Sequence, residues 1–186
     1  PSTAREAQAL LNSDKFRVYT NSDVIGVELG GALKNVIALG SGIIDGLGFG
    51  VNTKAAFVSR GLAEITRLGV ALGAERETFS GLAGLGDLVA TCFSPLSRNR
   101  QLGEKLAIGE TFDEAMKQLG GQVAEGVTST LAIRSMATAM SIDVPISSVT
   151  YRILYDGLNP DIAVGELMTR DLGAERILRW LSFSVK

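Results

Sequence analysis

Residues 23–44, DVIGVELGGALKNVIALGSGII, decide the fold. Asn21, Ser22 and Asp23 carry side chains that accept hydrogen bonds from the first turn of a helix, so a helix is expected from about Val24 to about Ile44. Its apolar residues are Val24, Ile25, Val27, Leu33, Val36, Ile37, Ile43 and Ile44, and they spread around much of the circumference. A helix that is apolar on most sides belongs at the centre of a fold. Gly26, Gly30, Gly31, Gly40 and Gly42 lie inside it, and each costs roughly 0.5–1 kcal/mol relative to alanine. So many glycines need a reason, and the close approach of another backbone or of a ligand supplies one. The stretch is also the most membrane-like in the chain. Glu28, Lys34 and Asn35 would sit mid-span at high cost in lipid, so the expectation is a buried helix of a soluble protein with no transmembrane segment.

On the N-terminal side, Ser2 to Leu11 reads as the end of an amphipathic helix, and Phe16 to Thr20 (FRVYT) as a short strand. A helix followed by a strand is what the tail of an α/β domain leaves behind. The chain starts at Pro1 rather than Met, as a piece of a longer protein would. After Thr20 the pattern is mainly α. Asp45 to Gly50 reads as a loop, and Asn52 or Thr53 caps a helix to about Leu72 that Gly73 stops. Ser80 to Phe93 is glycine-rich and reads as irregular. Ser97 caps a helix from Arg98 to about Ile108, and Gly109 ends it. Thr111 to Leu119 is a short helix with Thr111 and Glu114 as a capping box. Glu125 to Met140, Ile146 to Tyr155 and Asp161 to Met168 are further helices, with Pro145 and Pro160 near starts, where proline is tolerated.

Composition narrows the function classes. The 186 residues are enough for one sizeable core. Eighteen basic and twenty acidic side chains give a net charge of −2, which argues against broad nucleic-acid or anionic-membrane binding while allowing one small basic pocket. Cys92 is the only cysteine, so no disulfide can form within the chain, and a reducing, cytoplasmic setting is expected. There is no histidine, which removes the Ser-His-Asp triad and most catalytic zinc sites. Proton chemistry must then rest on Lys, Asp, Glu, Tyr or Cys. The first dozen residues lack the basic-then-apolar pattern of a signal peptide.

Three constellations could carry chemistry. In Gly30-Gly31-Ala32-Leu33-Lys34-Asn35, a helical side chain leans over the turn before it, so Lys34 lies over two positions without side chains. A small molecule could then reach a lysine half-sunk in an apolar helix, a setting that favours acid–base use. The other reading is a lysine paired with a carboxylate at a helix surface. In Ser94-Pro95-Leu96-Ser97-Arg98-Asn99-Arg100, a helix start with free N–H groups, a hydroxyl, an amide and two guanidiniums makes a phosphate site, or an ordinary Ser-capped helix with exposed arginines. Gly81-Leu82-Ala83-Gly84-Leu85-Gly86-Asp87-Leu88 is neither a dinucleotide fingerprint nor a triphosphate loop. It positions Asp87 and Thr91 beside a ligand, or it is a tight turn with a capping Asp. Asn52, Thr53 and Lys54 read as a cap and a solvated charge, and Cys92 as a small buried hydrophobe. Glu125 serves a helix's first turn, Glu28 is undecided between buried partner and capped polar group, and Trp180 and Phe183 read as packing residues.

Residues 23–64 (DVIGVELGGALKNVIALGSGIIDGLGFGVNTKAAFVSRGLAE) resemble the start of the helical domain of bacterial NAD(P)-dependent glycerol-3-phosphate dehydrogenases. Residues 81–103 (GLAGLGDLVATCFSPLSRNRQLG) and 122–130 (QVAEGVTST) resemble later motifs of that domain, in the expected order. The resemblance implies a mainly α, multi-helix domain of the 6-phosphogluconate dehydrogenase C-terminal-like type. It would span 21–186, with 1–20 the tail of an N-terminal Rossmann domain. It implies reversible oxidation of sn-glycerol 3-phosphate to dihydroxyacetone phosphate with NAD or NADP, in supply of glycerophospholipid precursors. By similarity, Lys34 is the proton acceptor and donor for the C2 oxygen. Asn35, Asp87 and Thr91 surround it, Ser97, Arg98 and Asn99 bind substrate phosphate, and Arg98, Val123 and Glu125 touch the dinucleotide.

One departure matters. The family's G-x-G-x-x-G fingerprint is absent, so this chain alone is expected neither to bind the dinucleotide tightly nor to turn over. A related phospho-sugar or hydroxyacid dehydrogenase is the nearest rival. A non-catalytic module for homodimer formation or phosphometabolite binding is the rival from another class, because the glycine-rich helix could equally pack on a second subunit.

Overall fold

The computed structural model describes residues 2–121 and 124–170. Its elements are α1 (Ser2–Leu11), α2 (Val24–Gly46), α3 (Val51–Ala71), α4 (Arg76–Ser80), a π-helical turn (Leu82–Gly86), α5 (Asp87–Phe93), α6 (Arg98–Ala107), α7 (Phe112–Gln118), α8 (Glu125–Met140), α9 (Pro145–Tyr155) and α10 (Pro160–Met168). No strand occurs among the described residues.

Phe16 to Thr20 therefore departs from expectation. This stretch makes one isolated antiparallel bridge, between Ser13 and Phe16. Val18 bonds back to α1 and the residues just after it: its N–H donates to Asn12 Oδ1 (2.7 Å) and its carbonyl accepts from Gln8 Nε2 (2.8 Å). A β-former pattern makes a strand only when a second strand is there to pair with it, and here local side chains take up the backbone groups.

Helix α2 is the axis of the fold, about 35 Å long at 1.5 Å per residue. Asp23 caps it by accepting from Gly26 N–H at 2.8 Å. The other carboxylate oxygen of Asp23 accepts from Glu75 N–H at 2.8 Å and ties down the start of α4. Every residue from 35 to 44 is buried. Helices α6, α5, α3 and α8 pack around α2, with α6 the most intimate neighbour. By length and composition α2 could cross a membrane, but 67% of its most apolar window is buried inside this protein, so it is the core helix.

The glycines explain how the neighbours come so close. A Cβ on Gly42 would lie 1.9 Å from the Arg100 carbonyl oxygen, and one on Gly103 would lie 2.0 Å from that of Leu39. α2 and α6 thus touch backbone to backbone through reciprocal gaps. Gly30 faces the Ala83 carbonyl in the same way, and Gly40 faces the Phe57 ring. These approaches are made by the chain's own elements, so these positions leave no room for a second subunit. Gly31 has nothing within 4 Å of a built Cβ.

Two apolar clusters flank α2. One joins Leu33, Val36 and Ile37 to Ile65, Leu68, Phe79, Leu88 and Ile133. The other joins Leu39 and Ile43 to Leu102, Ala115 and Ala124. The Phe79 ring is fully enclosed and fills the gap left by Gly69, so truncation to alanine should cost ~3–5 kcal/mol.

Most helix ends follow their capping residues, with two differences. Gly50 occupies the N-cap of α3, ahead of Asn52 and Thr53, and Lys54 is buried rather than solvated. Ser80 to Phe93 is helical for most of its length, as the π-turn runs directly into α5. Its glycines serve contact: a Cβ on Gly84 would strike the Phe79 backbone at 2.2 Å. Trp180 and Phe183 lie outside the described residues.

Candidate active site

Lys34 leaves α2 one turn after Gly30 and reaches α5. Its ammonium is ion-paired with Asp87 Oδ2, with the lysine side chain about one-fifth exposed. The carboxylate pairing weighed for this lysine is therefore real. The glycine window above it is half open: Ala83 closes Gly30, and Gly31 stays clear. Asp87 is the first residue of α5, where a carboxylate suits the positive end of the helix. Thr91, one turn on, donates its hydroxyl to the Asp87 carbonyl at 2.7 Å, with Asp87 Oδ1 a longer 3.4 Å away.

Asn35 is buried and holds a different set of partners. Its Nδ2 donates to Glu125 Oε2 at 3.0 Å and to the Gly31 carbonyl at 3.3 Å. Its Oδ1 accepts from Asn99 Nδ2 at 3.0 Å, and Asn99 Oδ1 in turn accepts from Gly126 N–H at 2.8 Å. Because Gly126 follows Glu125, these bonds form a closed ring that ties α2, α6 and the start of α8 together. Gly126 allows it, since a Cβ there would lie 2.6 Å from the Asn35 carbonyl oxygen and 2.8 Å from Asn99 Oδ1.

At the start of α6, the Ser97 hydroxyl caps Arg100 N–H at 3.4 Å. Ser97 and Arg98 line the open space beside the start of this ten-residue helix, a setting suited to an anion. Arg100 departs from its expected place in the phosphate site. Its guanidinium turns away to Asp45 Oδ2 (2.7 Å) and Glu104 Oε1 (2.7 Å).

The result is an open cleft of about 430 Å³ lined by Lys34, Asn35, Ala90, Thr91, Ser94, Leu96, Ser97, Arg98, Asn99 and Glu125. Asp87 joins it through Lys34. Residues expected as one site from three separate sequence motifs thus converge on one space, at a size suited to a small metabolite. Val123 lies outside the described residues. Glu28 is exposed on α2. A second, mostly apolar hollow between α2, α3, α9 and α10 holds only about 20 Å³, little more than one water, and offers no titratable group.

Two residues of note, Ala90 and Glu64, escaped the sequence reading, and Lys54 was read as a solvated charge. Ala90 lines the cleft, and only recognising α5 as a helix would have put it on the face of Asp87 and Thr91. Lys54 is buried against Asp45. Glu64 is buried between α3 and α9, accepting from Ile146 N–H (2.8 Å), Ser147 N–H (2.9 Å) and Ser147 Oγ (2.6 Å). Burial nevertheless raises the Glu64 carboxyl above its ordinary value. Cys92 is not a nucleophile here: burial pushes its thiol up to about 11. Among the described residues no cluster of His, Cys, Asp or Glu could hold a metal.

The chain is similar to known proteins along most of its length. The family model described as NAD-dependent glycerol-3-phosphate dehydrogenase C-terminus matches residues 23–165. Glycerol-3-phosphate dehydrogenase (NAD(P)+) of Frankia casuarinae is 56% identical over 180 residues, which are 96% of this chain and 53% of that protein. The protein of that name from Citrifermentans bemidjiense is 53% identical over 174 residues, 94% of this chain and 52% of its own length. The crystal structure of glycerol-3-phosphate dehydrogenase from Coxiella burnetii superposes with a TM-score of 0.86 at 43% identity, covering 91% of this chain and 52% of that one. The chain spans about half the length of the curated relatives it matches.

Proposed function

The chain belongs to the NAD-dependent glycerol-3-phosphate dehydrogenase C-terminal family, and from that premise we propose that it is the substrate-binding, catalytic half of an enzyme interconverting sn-glycerol 3-phosphate and dihydroxyacetone phosphate. The observation that carries this reading is the pairing, across one cleft, of a carboxylate-bound lysine with an anion-ready helix start.

In the direction of reduction, the phosphate of dihydroxyacetone phosphate sits on the N–H groups of α6 with Ser97 and Arg98, and Asn99 holds that helix to α8. This docking brings the ketone oxygen to Lys34. When bound, a reduced nicotinamide, NADH or NADPH, would supply the hydride for C2. As negative charge builds on the C2 oxygen, Lys34 gives up a proton to it and the alcohol forms. In oxidation Lys34 takes the hydroxyl proton as the hydride leaves. Asp87 keeps the ammonium aimed into the cleft, and Thr91 buttresses the first turn of α5. Arg98 and Glu125 are exposed at the rim and would meet the dinucleotide there, a cation for its phosphates and a carboxylate for its hydroxyls. In this reading Val123 would stand beside them.

The reading extends to architecture. Residues 21–186 would be a helical domain of the 6-phosphogluconate dehydrogenase C-terminal-like type. Residues 1–20 would be the tail of a Rossmann domain whose remainder closes the cleft and carries the dinucleotide. A cytoplasmic place in glycerophospholipid precursor supply follows from the same premise.

The test is turnover by the complete enzyme, read as NADH or NADPH oxidation, with dihydroxyacetone phosphate beside unphosphorylated dihydroxyacetone. The expected result is a kcat/KM at least ~10³-fold higher for the phosphate ester, because docking on α6 positions the ketone. Equal rates, or none with the ester, would refute the assignment.

A further inference from the structure

Asp45, Lys54 and Arg100 line no part of the cleft, yet their geometry bears on it. Asp45 Oδ2, near the end of α2, accepts from Lys54 Nζ at 2.5 Å and from Arg100 Nε at 2.7 Å. All three side chains are mostly buried, at 19%, 6% and 15% exposed respectively. Lys54 also lies over the Phe93 ring at the end of α5, 4.6 Å from its centroid. One carboxylate thus gathers α2, α3, α5 and α6 at the side of α6 turned away from the cleft.

Arg100 is held in three ways. Its side chain is gripped by Asp45 and, on its outer side, by Glu104, each at 2.7 Å. Its carbonyl lies in the gap at Gly42, where a Cβ would come within 1.9 Å. Its N–H donates to Ser97 Oγ at 3.4 Å. The residues just before it are Ser97, Arg98 and Asn99, which face the cleft. Gly42 sets how near α6 comes to α2, and Asn99, bonded to Asn35 and Gly126, holds its cleft side. Arg100 anchors the opposite side at one azimuth.

We propose that Arg100, anchored by Asp45, is a positioning residue: it fixes the rotation of α6 that presents Ser97, Arg98 and the first N–H groups to a phosphate group. This rests on the reading of the cleft as a phosphate-ester site. It predicts a defect in phosphate binding rather than in the chemical step, since Lys34 and Asp87 belong to other elements.

The experiment uses the complete enzyme and compares wild type with Arg100→Met, Arg100→Lys, Asp45→Asn and Glu104→Gln. Steady-state kinetics with dihydroxyacetone phosphate and NADH are measured, with inorganic phosphate as competitive inhibitor and thermal unfolding as control. For Arg100→Met and Asp45→Asn the expected result is a roughly tenfold or larger rise in KM for dihydroxyacetone phosphate. The inhibition constant for inorganic phosphate should rise in parallel, with kcat and the KM for NADH within about twofold of wild type. Arg100→Lys, which keeps a cation for Asp45, should recover part of the loss. Glu104→Gln, which keeps an oxygen for Arg100 and removes only a partly exposed charge, should leave all constants unchanged. Should Arg100→Met fail to fold, Asp45→Asn decides on its own. A lowered unfolding temperature with unchanged KM and unchanged phosphate inhibition would overturn the proposal, leaving the cluster a stabilising ion pair and the cleft reading intact. A wild type that neither turns over dihydroxyacetone phosphate nor responds to phosphate would overturn both.

Discussion

Lys34 and Glu64 show how differently two buried charges are used. Lys34 meets its partner across a cleft, so its proton can reach a ligand. Glu64 is closed in by the start of α9 and serves structure alone. Burial raises the Glu64 carboxyl, so the folded protein holds that proton more tightly than the unfolded chain does. Its contribution is full below the ordinary carboxylate range and is lost as pH rises through the raised native value. The advantage of wild type over Glu64→Gln, measured as thermal unfolding temperature from pH 4 to 8, should therefore shrink as pH rises. An advantage that grows with pH would contradict this. Asp23 has the opposite sign. The Thr78 hydroxyl and the Gly26 and Glu75 N–H groups hold its carboxyl low. The loss caused by Asp23→Asn should be present at neutral pH and fade as pH falls through that lowered value. Cys92 should resist iodoacetamide at pH 8 until the protein is unfolded, because burial keeps the thiol protonated and enclosed. Rapid labelling of the native protein would refute this.

At the scale of elements, the glycines of α2 make the sharpest forecast. Gly42→Ala places a methyl against a backbone carbonyl that cannot move without dislodging α6, and a loss of ~3 kcal/mol or more is expected. Gly31→Ala meets nothing within 4 Å, and removing the glycine from a helix interior should stabilise by roughly 0.5–1 kcal/mol. Urea unfolding of the two variants checks the contrast, and similar shifts in both would contradict the packing described. The helices whose ends carry caps were legible in the sequence: Ser97, Thr111 with Glu114, and the prolines of α9 and α10 stand where the pattern puts them. Residues 80–93 were not, because Gly81, Gly84 and Gly86 read as loop chemistry. What Gly84 answers is a demand for room beside the Phe79 backbone, five residues earlier. FRVYT misled for a related reason, since its alternation describes a strand only when another strand lies alongside.

Across the whole molecule, the site is assembled by α2, α5, α6 and the start of α8, and it opens to one side. Local patterns singled out Lys34, Asp87, Thr91 and the Ser97-Arg98-Asn99 run while leaving a surface lysine, a capping Asp and a Ser-capped helix open; the resemblance to the family chose the site reading and added Asn35 and Glu125. The ring of amide bonds from Glu125 through Asn35 and Asn99 to Gly126 was not legible, because it joins positions up to 90 residues apart. Nor was the burial of Lys54, whose partner Asp45 lies in a stretch read as a loop. With the cleft open on one side and no dinucleotide fingerprint in the sequence, residues 1–186 alone should bind NADH more weakly than micromolar by calorimetry. Micromolar affinity would contradict the view that another domain carries the cofactor. The proposed role of Lys34 is proton transfer. It is tested by the rate of dihydroxyacetone phosphate reduction in the complete enzyme, wild type beside Lys34→Ala, with folding verified by circular dichroism. A fall in kcat of about 10²–10⁴-fold in a folded variant is the predicted result, and a Lys34→Ala enzyme as active as wild type would contradict it.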